Sequence, residues 1–203
     1  MTTAARQDYF AFLGLPRKLN LDSAELEQKF RALSRQYHPD YFYNAPAAER
    51  RASLERSSYL NDAYRTLKQP VSRIEYLLTL EGFAQAGGDP SRASKEVPPA
   101  LLEEVFALNE ELDEVREMRA SGAPADQWKA RLQRARKPIE EKRDEHEAQL
   151  KALSARWDAI VGDDGRANDE GERQATLTSL REQMLERNYI NNLLAGIERE
   201  LAL

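Results

Sequence analysis

Apolar residues in this chain recur mainly at steps of three and four positions. Such spacing lines one face of an α-helix, whereas a half-buried strand needs alternation. No run of alternating β-branched residues exceeds a few positions, so no segment reads as a strand. The pattern restricts the chain to an all-α fold. With 41% hydrophobic and 32% charged residues, 203 residues can cover one large helical core or two small ones.

The stretch from Gly82 to Pro99 gathers Gly, Pro, Ser and Ala without helical periodicity. It reads as a linker at 83–98, between a first module at 1–82 and a second at 99–203. Charge supports two modules with different partners. Residues 1–82 hold 12 Lys+Arg against 10 Asp+Glu, net +2, while the remainder holds 18 against 25, net −7. Neither balance has the strongly basic footprint of a nucleic-acid binder. No apolar run approaches the roughly 20 residues that span a bilayer. The start, MTTAARQDYFAFLGLP, lacks a charged region leading into an apolar one, so no secretory signal is expected and the placement expected is cytoplasmic. The sequence has no cysteine, which excludes disulfides, thiolate nucleophiles and thiolate-held zinc or iron–sulfur centres within it. Two histidines, His38 and His146, leave little for a transition-metal site, and no cofactor is expected.

In the first module a short helix spans Tyr9 to Leu13, capped by Asp8 and stopped by Gly14. A second opens at Asp22, with Glu25 at capping-box spacing and Leu21 and Leu26 placed for a hydrophobic staple. Leu26, Phe30, Leu33 and Tyr37 form its core stripe, Arg31 and Arg35 fall opposite, and Lys29 lies on the flank. The helix must stop near Tyr37, because Pro39 disfavours α geometry at His38. A third helix runs from about Pro46 to Leu67, packing through Leu60, Ala63, Tyr64 and Leu67. Pro70 breaks it, and Ser72 to Leu80 gives a fourth.

By itself the tripeptide His38-Pro39-Asp40 is a turn signal. An enzymatic pairing of His38 with Asp40 is weaker still. Residues flanking a rigid ring rarely orient one another as a triad does, no activated nucleophile stands nearby, and no glycine-rich phosphate cradle exists. A small hydrolase built around His38 is therefore disfavoured. Context gives the tripeptide another reading. DYFAFLGLP, then a capped helix with KFRALSRQYHPD, then LNDAYRTL, resembles the J-domain family over the first seventy-odd residues. The resemblance implies that His38, Pro39 and Asp40 dock on a DnaK-class ATPase chaperone, Asp40 pairing with an arginine of that partner. It implies too that Lys29, Arg31 and Arg35 face an acidic patch there. The bland reading of those three cations is a solvated helix face. The chain itself would be an activator and not an enzyme, acting through a difference in affinity for two partner states.

KQPVSRIEYLLTLEG and PPALLEEVFALNEELDEV resemble the HscB-type co-chaperones of iron–sulfur cluster biogenesis, in which a J-domain abuts a C-terminal helical bundle. Geometry agrees. Leu101, Val105, Leu108, Leu112 and Val115 repeat as 4-3-4-3, a seam that faces a bundle core. Leu102 and Phe106 lie about 100–140° around from it, a second apolar strip edged by Glu103 and Glu110. Burial on two sides of a three-helix bundle is the bland account of that strip. The resemblance implies instead that Leu102, Phe106 and Glu110, with Tyr189 in the last helix, bind the scaffold protein on which clusters are assembled. Glu103 stands where the family often has an apolar residue, and Ala107 where it often has an acid.

Further along, Leu132, Ala135, Ile139, His146, Leu153, Trp157 and Ile160 make a stripe that Pro138 should kink or divide. His146 reads as a packing residue with a local hydrogen bond, and Trp128 and Trp157 as core. The last helix, from about Glu172 to Leu201, shifts its apolar face midway and should touch different neighbours in its two halves. Asp163 to Gly171 fails as a calcium loop, since Arg166 and Leu177 would stand where acids are needed, and reads as a turn. Two functions follow. The first is an adaptor that brings the scaffold protein to a DnaK/HscA-class chaperone and stimulates its ATPase. The other is a J-protein whose bundle serves a different client or dimerises.

Overall fold

A computed structural model describes residues 8–83, 97–162 and 170–203. Among these residues every regular element is helical and none is a strand, as the spacing requires. The α-helices are α1 Tyr9–Leu13, α2 Ser23–Tyr37, α3 Ala47–Lys68, α4 Pro70–Leu80, α5 Leu102–Ala120, α6 Ala125–Val161 and α7 Glu170–Leu201. Short 3-10 turns at Pro39–Phe42 and Pro99–Leu101 precede α3 and α5. Most of the expected linker 83–98 lies outside the described residues. So does the expected turn at 163–169, while Glu170 and Gly171 already belong to α7.

Local chemistry accounts for the helix ends. Asp8 accepts the Ala11 N–H, and Gly14 closes α1 in the left-handed conformation at φ 63°. Asp22 accepts the Ala24 N–H at 2.8 Å, but Glu25 pairs forward with Lys29 at 3.1 Å. Helix α4 opens on Pro70, two residues before the expected start at Ser72, because a first-turn proline gives up an N–H that has no partner there anyway.

Helices α2 and α3 run antiparallel. The Phe30 ring stacks on Tyr64 at 4.1 Å, whereas Tyr37, one turn and more further along α2, meets the earlier part of α3, its carbonyl accepting the Ser53 hydroxyl at 2.9 Å. The core between them joins Phe10, Leu13, Leu15, Leu26, Leu60, Ala63 and Leu67. Burying such side chains is worth about 1.5–3 kcal/mol each.

Packing divides the chain differently from sequence order. One compact unit joins Met1–Ala84 with Leu153–Thr178, and the other joins Gln85–Ala152 with Ser179–Leu203. The segment 153–178, expected in the second module, thus packs with the first. Its polar contacts say why. Asp158 accepts the Leu19 N–H at 2.6 Å, the Asn20 N–H at 2.8 Å and the Asn20 side-chain amide at 2.8 Å. Trp157, fully buried, donates its indole N–H to the Arg17 carbonyl at 2.8 Å. Arg173 pairs with Glu81, whose other oxygen takes Arg17 at 3.3 Å. The midway shift in the α7 face coincides with this division: Leu177 is buried in the first unit, and Ile190, Leu194 and Ile197 in the second.

The second unit is a three-helix core. It draws Leu101, Val105, Leu108 and Val115 from the α5 seam, Trp128, Leu132 and Ile139 from α6, and Ile190, Leu194 and Ile197 from α7. Helix α6 is not divided at Pro138. Pro138 is exposed, so the carbonyl that loses its partner stays near water, while Leu132 and Ile139 hold the opposite side in the core. His146 is buried and donates from Nε2 to the Gln183 carbonyl at 2.6 Å.

Candidate functional site

The first unit presents His38, Pro39 and Asp40 where α2 hands over to the turn before α3. His38 is extended at φ −63° and ψ 128°, which ends α2 ahead of the proline. The Asp40 N–H then donates to His38 Nδ1 at 3.3 Å, and the Tyr41 N–H to the His38 carbonyl at 3.1 Å. With Nδ1 accepting, the ring carries its proton on Nε2, a donor left for a partner. The Asp40 carboxylate is 87% exposed, with the His38 Nδ1 acceptor 3.5 Å away. It offers an incoming cation an unsatisfied acceptor. The buried Ser53 hydroxyl on the last α2 carbonyl fixes the hairpin beside this turn, and the Arg56 guanidinium lies 5.7 Å over the Tyr37 ring.

The three cations of α2 differ in what holds them. Lys29 is half-buried and bound to the Gly14 carbonyl and Glu25. Arg31 is exposed and pairs with Glu27 at 2.5 Å, one helical turn away. Arg35 is exposed and has no ion pair among the described residues. Exposed pairs of this kind are worth about 0.2–1 kcal/mol, so Arg31 can exchange its partner at little cost. Lys29 would have to leave a backbone carbonyl as well.

On the second unit, Leu102, Phe106 and Glu110 follow each other at four-residue intervals along α5 and share an exposed face. Phe106 is 71% exposed and Leu102 40%, so the strip is not covered by the bundle. Acids toward the core flanks are used internally: Glu104 pairs with Lys142 at 3.4 Å, and Glu111 and Glu114 both pair with Arg131. The Glu104 charge holds the Lys142 ammonium above its ordinary range, and the Glu111 hydrogen bond does the same for the Arg131 guanidinium. Glu103 and Glu110, at the edge of the strip, are exposed and make no salt bridge among the described residues, though the Glu110 charge still acts on Arg131. An apolar strip edged by exposed carboxylates fits a partner with an apolar patch bordered by cations. Tyr189 differs from the other three in burial: it is half-buried against the bundle core.

Among the described residues no group of three or more His, Asp or Glu side chains converges as a metal site, and no helix is long and apolar enough to cross a membrane. A family model described as "DnaJ domain" matches residues 8–76, the stretch that holds α1 to α3 and the His-Pro-Asp turn. Among solved structures the chain is similar to the chaperone HscB from Vibrio cholerae, at 28% identity and a TM-score of 0.58, covering 96% of this chain and 97% of that one. It is also similar to the human co-chaperone protein HscB, at 23% identity and a TM-score of 0.63, covering 100% of this chain and 87% of that one, a likeness of fold.

Proposed function

Because the chain is an HscB-type J-domain co-chaperone, we propose that it stimulates the ATPase of a DnaK/HscA-class chaperone and delivers to it the scaffold protein on which iron–sulfur clusters are built. The observation that carries the first half is the His38-Pro39-Asp40 turn, with an Nε2–H donor and an unpaired carboxylate held outward by backbone hydrogen bonds. The chaperone's arginine pairs with Asp40, and its acidic patch meets Arg31 and Arg35. Lys29 contributes less, since it is engaged with Gly14 and Glu25. A charged pair in a desolvated contact contributes about 1.5–7 kcal/mol, enough to favour one state of the chaperone over another.

The uncovered Leu102–Phe106 strip supports the second half. With no cysteine of its own the chain holds no cluster on thiolates, so the cluster remains cargo on the scaffold.

Two measurements test these halves separately. His38→Gln should abolish stimulation in single-turnover hydrolysis by the chaperone while leaving the helical signal intact. Unchanged stimulation would sink the J-protein reading. Phe106→Ala should weaken scaffold binding by about 2 kcal/mol, roughly thirtyfold, as truncating an aromatic anchor does. If the unmutated protein fails to bind the scaffold in a titration, its client is a different one.

A further inference from the structure

The turn that carries His38, Pro39 and Asp40 also carries three consecutive aromatic residues with unequal burial. Phe42 is half-buried, whereas Tyr41 and Tyr43 are 75% and 77% exposed, more than any other large hydrophobic side chain among the described residues. Backbone hydrogen bonds fix the segment. The Tyr43 N–H donates to the Asp40 carbonyl at 3.4 Å and the Ala45 N–H to the Phe42 carbonyl at 3.0 Å, in addition to the Tyr41–His38 bond. The Tyr41 ring stands edge-on to His38 with centroids 6.1 Å apart. A tyrosine on a fixed backbone loses little freedom when covered, since only two torsions remain to be frozen. Two such rings in water form a preorganised contact.

We propose that Tyr41 and Tyr43 are an aromatic arm of the chaperone-docking surface, setting the affinity for the DnaK-class partner beside the turn that triggers its ATPase. This rests on the function proposed above. The occupant follows from continuity: a body that covers the side chains of both His38 and Asp40 also meets Tyr41, which adjoins one in sequence and the other in space. At about 2.0 Å of rise per residue in a 3-10 turn, Tyr43 lies only about 6 Å further along than Asp40. Charge points the same way. The cation that takes the free Asp40 carboxylate arrives next to the Tyr41 ring, whose face attracts a guanidinium. Basic residues of α2 give the surface its charge complementarity, and the two rings give it apolar area.

The test uses the full chain, with each purified DnaK-class chaperone of the source organism as the probe. The double variant Tyr41→Ala/Tyr43→Ala should raise the half-maximal concentration for ATPase stimulation at least about tenfold, a change of about 1.4 kcal/mol. The thermal midpoint should hold, since neither ring is part of a core. Tyr41→Phe/Tyr43→Phe should stay within about twofold, because the rings and not the hydroxyls make the contact. A wild-type half-maximal concentration for the alanine pair, while His38→Gln abolishes stimulation, overturns the aromatic arm and leaves the function standing. Equal loss with phenylalanine overturns the ring-based contact. A change of the isolated chain from dimer to monomer in sedimentation, with stimulation unaltered, assigns the rings to a self-contact and overturns the proposal. No stimulation by the wild type with any of the chaperones removes the function and the arm together.

Discussion

Arg73 holds a charge at 5% exposure and yet makes no salt bridge among the described residues. Its Nε donates to the Leu67 carbonyl at 2.7 Å and its Nη1 to the Leu19 carbonyl, so one fork closes the last turn of α3 and pins the segment ahead of α2. Burial lowers its pKa and the nearby Asp158 charge works against that. A comparable economy operates at Tyr76. Its oxygen accepts the Tyr9 N–H at 2.9 Å, and its ring stacks on Tyr9 at 4.3 Å. Burial pushes the phenol up to about 12, the Tyr9 N–H pulling the other way. In the unfolded chain a tyrosine titrates near 10. The folded state therefore keeps a proton that the unfolded state gives up. The stabilisation is fully present below about pH 10 and is lost as pH rises through about 12. Tyr76→Phe should lose about 1 kcal/mol at neutral pH, from the unpaired Tyr9 N–H, and should decline less steeply than wild type between pH 10 and 12. Urea midpoints measured across that window check both; parallel curves would mean that Tyr76 titrates alike in the two states.

Helix α2 shows what one element can do with two faces. Leu26 and Phe30 pack inward, Arg31 and Arg35 point to water, and a capped start and a proline-forced end set its length. All of that was legible, because caps, prolines and three-four spacing are local signals. The different holds on Lys29 and Arg31 were not legible, since the Gly14 carbonyl that binds Lys29 comes from another element. The same limit appears in α6. Pro138 is a local break signal, but exposure of its own turn and burial of Leu132 and Ile139 let the helix continue. In α5 the spacing marked the Leu102–Phe106 strip as surplus to the seam, and only burial could tell whether a third helix covers it. Tyr41 and Tyr43 stood beside the most informative tripeptide, but three successive aromatics carry no period, so nothing local says which of them turns inward.

Among the described residues the strongly exposed apolar side chains are few. Tyr41 and Tyr43 flank the turn of the first unit, Leu102 and Phe106 line α5 of the second, and Leu54 and Leu203 stand elsewhere. The proposed adaptor role would need such concentration, because each surface must remain uncovered until its own partner arrives. The J-domain unit has a further requirement, since α1 to α4 are completed there by residues from the other end of the sequence. Trp157 and Asp158 hold the segment Arg17–Asn20 that leads into the α2 cap, and Asp158 supplies the charge facing buried Arg73. Neither role is visible in a helical repeat, which marks Trp157 as core without naming the core. If these contacts set the start of α2, Asp158→Ala should cost about 1.5–3 kcal/mol, the range for hydrogen bonds to a charged group. The loss should be local as well as global: the Leu19 and Asn20 amides should exchange with solvent faster, relative to amides in α3, than in the wild type. Unchanged protection at those two amides would show that burial of Trp157 alone keeps the segment in place.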